Sequence, residues 1–504
     1  MKLYDLLQDV EILSSTCEPD FEARQISSDS RTVLSGGVFI CIKGERCDGH
    51  DFIPDAVARG AAALIVSDPS RVPSGIPYVQ VRNTRLAEAH LWNRWYSCPA
   101  EGMRVIAVTG TNGKTSCAYM LREIFKSAGY RVGVITTVKA MAGDEVIGAS
   151  GGSSVSDAVC AMTTPDPEYL YGIIYIMKQK RVDTLVFEAS SHAIAQQKID
   201  PLRIDIALFT NLTAEHLDFH GDMEGYFEAK ARLASLAQRI VINADDPYVS
   251  RLIHRGGGRV ITCSADPDGE AYRSADVSAL RQRYLGLEGV EYVYFSRDAV
   301  FRQRSCIPGR YTVYNTMLAS AAAISMGISP ESVREGIAAL NVIDGRLEEI
   351  IIRREDLPFR VFVDYAHTAA ALESLLATVR DVRREGERIT VLFGCGGDRD
   401  PSKRRQMGAV ASRLADFVIV TGDNSRSEST EEIIKSIILG IDREKPHAVI
   451  PDRREAIEYA IKNASAGEIV LLVGKGHEKY EIDSDGKHPF DEAKIVRDAV
   501  KRFW

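Results

Sequence analysis

The sequence predicts an α/β protein built from more than one mostly parallel sheet, and three observations carry that prediction. The first is Arg104 to Ser116, RVIAVTGTNGKTS, where an apolar run ends in a glycine-bracketed turn and a Lys-Thr pair. The second is the last third of the chain. Apolar runs at Arg360 to Tyr365, Arg388 to Phe393, Asp416 to Thr421, His447 to Ile450 and Glu468 to Val473 are each followed by a helical pattern. Strand-helix alternation of this kind is what parallel strands joined by crossover helices leave in a sequence. The third is length, since 504 residues exceed what one core serves, and about three domains are expected. Composition shifts place them at residues 1–98, 99–338 and 339–504.

Composition narrows the class. Hydrophobic residues at 45% and charged residues at 26% fit a water-soluble globular chain rather than a disordered one. A net charge of -8 argues against nucleic acid or an anionic membrane as the general partner. The nine cysteines contain no Cys-x-x-Cys pair, so reduced thiols are expected rather than a disulfide framework or a zinc site. Met1 to Val10 lacks the apolar stretch of a signal peptide and no run approaches a membrane span, so a cytoplasmic location is expected.

Taken in order, residues 1–98 read as a small α/β domain with polar clusters at Ser28-Asp-Ser-Arg31 and Asp48-Gly-His-Asp51. Such clusters beside strands either bind ligands or are solvated turns, and turns are commoner. Pro99 to Gly102 reads as a linker. Val105 to Val108 then forms a buried strand, Gly110 and Gly113 permit a tight turn, and Cys117 to Ala128 is an amphipathic helix with Met120, Leu121, Ile124 and Phe125 on one face. This arrangement aims backbone N–H groups at an anion, with Lys114 on the outer phosphates and Thr115 on Mg²⁺. The motif is shorter than the full P-loop because Val108 stands where that pattern has its first glycine.

Met141 to Ala161, rich in Gly, Ser and Ala, reads as a flexible loop leading into Thr163-Thr-Pro-Asp166. Asp183 to Glu188 and Arg203 to Asn211 are buried strands that deliver Glu188-Ala-Ser-Ser-His192 and Glu215-His216-Leu-Asp218 to a sheet edge. Tyr226 to Leu236 is a helix carrying Lys230, Arg239 to Asn243 is a strand, and Pro308-Gly309 opens a helix with Asn315 near its start. After the turn at Asp344-Gly345-Arg346, strands end in Asp364-Tyr-Ala-His367, Gly394-Cys-Gly-Gly-Asp-Arg399, Gly422-Asp-Asn-Ser-Arg426 and Gly474-Lys-Gly-His-Glu478. Polar strand ends converging on one sheet edge make a binding site.

The residue chemistry suggests a reaction. Glu188 and His216, read as lying on adjacent strand ends, suit Mg²⁺ or Mn²⁺ beside Thr115. Lys230 would be repelled by that metal unless neutral or chemically modified. Arg399 and Arg426 offer forked donors for carboxylates, and Glu478 suits an ammonium. Joining an amine to a carboxylate activated by ATP would use all of these parts.

In order, G-T-N-G-K-T, T-T-P-D, E-A-S-S-H, T-A-E-H-L-D-F-H, Y-F-E-A-K, D-Y-A-H and G-K-G-H-E resemble the Mur ligase family along essentially the whole chain, in its MurE-type branch. The resemblance implies an N-terminal domain for a UDP-sugar, a central P-loop-type ATPase domain and a C-terminal Rossmann-like domain for an amino acid. It implies an ATP-dependent ligase of cytoplasmic peptidoglycan precursor synthesis, serving cell-wall growth and division. Such an enzyme extends UDP-N-acetylmuramoyl-L-alanyl-D-glutamate through an acyl phosphate. By resemblance Gly110, Thr111, Asn112, Gly113, Lys114, Thr115 and Ser116 grip ATP, and Asn315, Arg346 and Asp364 line it. Thr115, Glu188, His216 and Lys230, the last as a carbamate, take Mg²⁺, with Lys114, Glu188, His216 and Lys230 catalytic. Ser30 takes the uridine end, and Thr163, Thr164, Ser190, Gln196 and Lys198 hold the muramoyl dipeptide. Arg399, Asp423, Asn424, Ser425, Arg426, Gly474 and Glu478 hold the amino acid.

This sequence departs from the family pattern in three places. Lys198 stands where Arg is expected, His367 is followed by Thr-Ala-Ala rather than Thr-Pro-Asp, and Asp423-Asn-Ser-Arg426 replaces Asp-Asn-Pro-Arg. Because Asn424 and Arg426 are kept, meso-diaminopimelate is favoured over L-lysine, which lacks the distal carboxylate that Arg426 would hold. A folylpolyglutamate synthetase, a MurF-type ligase and a non-catalytic nucleotide-binding regulator are the alternatives. A monomer is expected.

Overall fold

A computed structural model describes every residue except 45–46, 149–161, 257–258 and 353–356. The chain forms two compact units: Met1–Ser278 with Phe295–Ala299 and Asn315–Gly336, and Ala279–Tyr294 with Val300–Tyr314 and Ile337–Trp504.

The first unit begins with strands β1 (Ile12–Ser15), β2 (Ile26–Ser27), β3 (Gly37–Ile40), β4 (Ala61–Val66) and β5 (Tyr78–Val81). They form a sheet of order β1-β5-β4-β3-β2 in which only β1 runs antiparallel. The helix Thr84–Trp95 follows, capped by Asn83, whose side chain accepts from the Arg85 and Leu86 amides. Its Trp92 and the following Tyr96 stack, and Tyr96 meets Tyr175 of helix Pro167–Gln179, so one apolar core runs from Leu3 and Val79 to Phe187 and Ile194.

The second sheet of this unit is built from β6 (Arg104–Thr109), β7 (Val132–Ile135), β8 (Ala140–Ala142), β9 (Glu145–Val146), β10 (Thr184–Glu188), β11 (Ile204–Phe209), β12 (Ala237–Asn243) and β13 (Val260–Ser264). Their order is β13-β12-β11-β6-β10-β7-β8-β9, so the first strand lies centrally, with Ile106 registered against both Val186 and Ile206 in parallel. Ligand loops therefore leave β6, β10 and β11 at one edge, where the strand order reverses. Two sequence expectations are corrected here. Glu188 and His216 do not follow adjacent strands, because β6 lies between β10 and β11. Within Met141 to Ala161, β8 and β9 extend an antiparallel edge that three- and two-residue strands leave too short to show periodicity. The remaining residues, 149–161, lie outside those described.

The chain continues through β14 (Val277–Tyr284), β15 (Val290–Ser296), β16 (Val300–Ser305) and helix Arg310–Ser325. The second unit then holds β17 (Glu348–Glu349), β18 (Arg360–Asp364), β19 (Arg388–Phe393), β20 (Phe417–Val420), β21 (His447–Val449) and β22 (Glu468–Val473) in the order β17-β18-β22-β19-β20-β21. All but β17 are parallel. Alternate residues feed two cores: Phe362 and Leu471 face helices Ala369–Val382, Ser402–Leu414 and Thr430–Ile438, while Val361, Val470 and Leu472 face Arg453–Lys462 and Glu492–Phe503. A hairpin of β23 (Tyr480–Asp483) and β24 (Gly486–Pro489), not anticipated from the sequence, follows β22.

Candidate active site

In the first unit the turn after β6 is fixed by two glycines. Gly110 has φ +140° and Gly113 φ +85°, and a Cβ would lie 1.9 Å from Thr210 Oγ1 at the first and 2.5 Å from Asn315 Oδ1 at the second. Between them the amides of Thr111 and Asn112 donate to the Asn211 backbone and side-chain oxygens at 2.8 and 3.0 Å. Thr111 also turns its hydroxyl inward, to Thr213 O and Tyr226 Oη. The N–H groups left to face an anion are thus those opening helix Lys114–Ser127, which Gly113 caps in the left-handed region.

Two lysines converge on one carbonyl. Lys114 Nζ donates to Gly110 O at 2.9 Å and Thr111 O at 2.7 Å, and Lys230 Nζ donates to the same Gly110 O at 2.9 Å. Lys230 is buried and its amine lies 4.8 Å from the Tyr226 ring centre. Burial, reinforced by repulsion from Lys114, holds its pKa well below the ordinary lysine range.

Glu188, at the end of β10, is fully buried. Its oxygens accept from Thr115 Oγ1 at 2.7 Å and Thr137 Oγ1 at 2.8 Å, and the Thr163 hydroxyl lies 3.1 Å from Thr137 Oγ1. Thr164 donates to Glu188 O, and its own oxygen accepts from the Ser190 amide. The donors brought together are hard oxygens, suited to Mg²⁺. Among the described residues no group of three or more His, Cys, Asp or Glu could hold a metal ion. Such a partial shell fits an ion that keeps waters and shares phosphate oxygens with a nucleotide. His216, with φ +56°, lies instead among rings, 4.9 Å from His192 and 6.4 Å from Tyr226 between centres.

Farther along the edge, Lys198 is buried and its Nζ donates to Asp166 Oδ1 at 2.6 Å. Ser190 caps helix Ser191–Ala195 and Gln196 closes it. Ser30 is buried in the N-terminal sheet's loop, whereas in the second polar cluster Asp48 bonds His50, and Asp48 and Asp51 pair with Arg71 from outside the cluster, as scaffold. Sequence reasoning missed Glu88 of helix Thr84–Trp95. Burial pushes its carboxyl up to about 7, opposed by a Ser28 hydrogen bond and by Lys198, with Asp166 adding repulsion. A carboxylate on an otherwise apolar helix face was its only signal.

In the second unit, Asp364 is buried at the end of β18 with its oxygens accepting from the Leu347 and Ala366 amides. Burial raises its pKa, partly offset by Arg346. The Arg346 guanidinium lies 5.5 Å from the Tyr365 ring centre. Both arginines pass close to Gly396, where a Cβ would meet Arg426 Nη1 at 2.9 Å and the Arg399 stem at Cγ at 3.9 Å. Arg426, at φ +52°, donates from Nη1 to Gly397 O and Asn424 O. Asn424 Nδ2 donates to Glu478 Oε2 at 2.9 Å, and burial raises the Glu478 pKa. A Cβ on Gly474 would meet Asp423 Oδ2 at 2.6 Å. Asp423 is itself turned inward, toward the fully buried Lys475 at 3.4 Å and its neighbour's amide. Lys475 lies in the Gly474-Lys-Gly-His-Glu478 strand end, but its partners, like those of the buried Arg453–Glu492 pair, lie far along the chain.

The parallel sheets and the glycine turn that opens a helix after β6 define the class, an α/β enzyme that handles a nucleotide. Family profiles agree: the Mur ligase family catalytic domain matches residues 22–96, the Mur ligase middle domain 108–323 and the Mur ligase glutamate ligase domain 345–476. The chain belongs to the Mur ligase family. It is 37% identical to the UDP-N-acetylmuramoyl-L-alanyl-D-glutamate--2,6-diaminopimelate ligase of Geobacter metallireducens, covering 99% of this chain and 98% of that one. The protein of the same name from Caldanaerobacter subterraneus is 38% identical over 99% of each. A solved structure of a ligase of that name superposes with a TM-score of 0.66 at 29% identity over 97% of both chains. MurF from Thermotoga maritima in complex with ADP, 18% identical with a TM-score of 0.58 over 96% of this chain and 99% of that one, shares the fold.

Proposed function

We propose that this chain joins meso-diaminopimelate to UDP-N-acetylmuramoyl-L-alanyl-D-glutamate with ATP, in the cytoplasm, as a step of peptidoglycan precursor synthesis. One observation carries the choice of amino acid: Arg426 and Arg399 flank Gly396, while Glu478 is held by Asn424 in the same unit. That set offers guanidinium groups for carboxylates and a carboxylate for an ammonium, which matches a diamino diacid better than lysine. The full-length relatives named for this reaction support the same reading.

The D-glutamyl side-chain carboxylate attacks the γ-phosphorus of ATP, the bond to the bridging oxygen breaks, and ADP leaves an acyl phosphate. The amino nitrogen of diaminopimelate then adds to the acyl carbon, loses a proton, and expels phosphate to form the amide. Lys114 turns from the loop carbonyls to the outer phosphates, and the helix amides after Gly113 hold the phosphate chain. Glu188, with the Thr115 and Thr137 hydroxyls, holds Mg²⁺, aided by His216. When bound, this ion offsets charge on the phosphates. Burial favours the neutral amine of Lys230, the form whose lone pair can add to CO₂, releasing one proton and leaving a carbamate. The cation that would repel the metal thereby becomes an anion that favours it. Thr163, Thr164, Ser190, Gln196 and Lys198 hold the muramoyl dipeptide, and Ser30 the uridine end. Asn315, Arg346 and Asp364 serve the nucleotide. The boundaries near residues 98 and 338 separate the sugar, nucleotide and amino-acid domains, and the protein acts as a monomer.

An amino-acid panel tests the substrate. With UDP-N-acetylmuramoyl-L-alanyl-D-glutamate, ATP and Mg²⁺, the product mass should increase by diaminopimelate less water, and L-lysine should give little product. Equal or better ligation of lysine would reject the assignment.

A further inference from the structure

The amino-acid site contains a buried cation that touches none of the groups assigned to ligand binding except through Asn424 and Asp423. Lys475 has no exposed surface. Its Nζ donates to Asn424 Oδ1 at 2.9 Å and to Tyr480 O at 3.0 Å, and lies 3.4 Å from Asp423 Oδ1. The Asn424 side-chain oxygen also accepts the Ile482 amide at 3.0 Å. An amide oxygen has two acceptor sites, and here both are filled. Flipping the amide would set its NH₂ against an ammonium and an N–H, so its orientation is determined. The NH₂ must point the other way, where Glu478 Oε2 receives it at 2.9 Å. The same hairpin strand fixes the loop two residues further on, because the Arg426 amide donates to Ile482 O at 3.1 Å.

We propose that Lys475 is a positioning residue of the amino-acid site: its bond to Asn424 Oδ1 fixes the amide that holds the Glu478 carboxylate for an incoming ammonium. The inference rests on the amino-acid role given to this unit above. It also explains how Asp423-Asn-Ser-Arg426 keeps its shape without proline. The rigidity comes from a buried lysine and a hairpin strand 51 to 58 residues later in the chain. Among the described residues the polar contacts of the Lys475 side chain are to Asn424, Tyr480 and Asp423, so its loss should act on affinity for the amino acid and not for ATP.

The test is Lys475→Met made together with Asp423→Asn, so that no buried carboxylate is left without its cation, with Asp423→Asn alone as the reference because Asp423 is itself assigned to the amino acid, and the pair is compared in turn with the same pair plus Asn424→Ala. Steady-state phosphate release is measured with each substrate varied in turn. The KM for diaminopimelate should rise about tenfold or more while the KM for ATP stays within about twofold. Adding Asn424→Ala should change little further, because the bond it removes is already uncontrolled. A folded pair whose KM for diaminopimelate is unchanged, or full additivity with Asn424→Ala, would overturn the proposal. If the pair does not fold, Lys475→Arg is read by the same split, and an unchanged KM for diaminopimelate again counts against it. Wild-type protein indifferent to diaminopimelate would fail the substrate assignment instead, and the split would then be read on the amino acid it does accept.

Discussion

The phosphate turn of the first unit and the amino-acid loops of the second hold their charged groups in opposite ways. In the first, two lysines crowd one neutral acceptor: Lys114 and Lys230 share the Gly110 carbonyl, and burial depresses the Lys230 pKa with Glu215 only partly opposing it. In the second, each buried cation has its carboxylate, Lys475 with Asp423 and Arg453 with Glu492. The first arrangement stores unsatisfied charge for a ligand to complete, whereas the second completes itself and uses the result to hold Arg426 and Glu478 in place. A substitution at the first should therefore mainly affect turnover, and one at the second should mainly affect affinity.

The largest effect expected from this contrast is at Lys230. Lys230→Ala should lower kcat by on the order of 100- to 1,000-fold while leaving the protein folded, as a cooperative thermal melt would show. Short carboxylic acids should restore part of the rate by standing in for the carbamate. Wild-type turnover in the variant would remove Lys230 from the site. Next, Arg426→Ala should raise the KM for diaminopimelate by on the order of 10- to 100-fold, as expected for a lost charge-assisted carboxylate contact. The KM for ATP should be unaffected, and equal changes in both would erase the distinction between the two regions.

The remaining predictions concern stability. Gly110→Ala should destabilise by about 1–3 kcal/mol in denaturant titration, because its Cβ would meet Thr210 Oγ1. Glu88 has a folded pKa raised to about 7 from an ordinary 4.5. Its contribution is fully present below about 4.5 and is lost as pH rises through about 7. Glu88→Gln should therefore flatten the fall in melting temperature between those values, a change of about 1 kcal/mol once its partly exposed position is allowed for. An unaltered pH profile would show that the carboxyl titrates normally. The smallest effect is expected at Ser425, whose amide donates no hydrogen bond among the described residues. Ser425→Pro should change stability by less than about 1 kcal/mol and leave the diaminopimelate KM within about twofold. A large loss would show that the loop needs serine rather than only the bonds around it.

The same contrast explains what was legible in the sequence. Gly110, Gly113, Lys114 and Thr115 lie within six residues, after a strand and before a helix, so local spacing already specifies the tight turn that the structure has there. The parallel strands of the second unit were legible too, because uninterrupted apolar runs such as Glu468–Val473 are buried on both faces. Lys475, Arg453 and Glu88 were not, since a lone charged residue shows its role only once distant partners surround it. Strand adjacency was misread for a related reason. Sequence order placed β11 after β10, whereas the sheet puts β6 between them. The short edge strands β8 and β9 and the β23–β24 hairpin lacked the length for periodicity.

The central claim is that one carboxylate is activated by ATP and captured by one amine, and phosphate release from ATP tests it most directly. Release should require UDP-N-acetylmuramoyl-L-alanyl-D-glutamate and meso-diaminopimelate together, with one phosphate formed for each amide. Release of equal size when either is omitted, or none when all three substrates are present with Mg²⁺, would contradict the account.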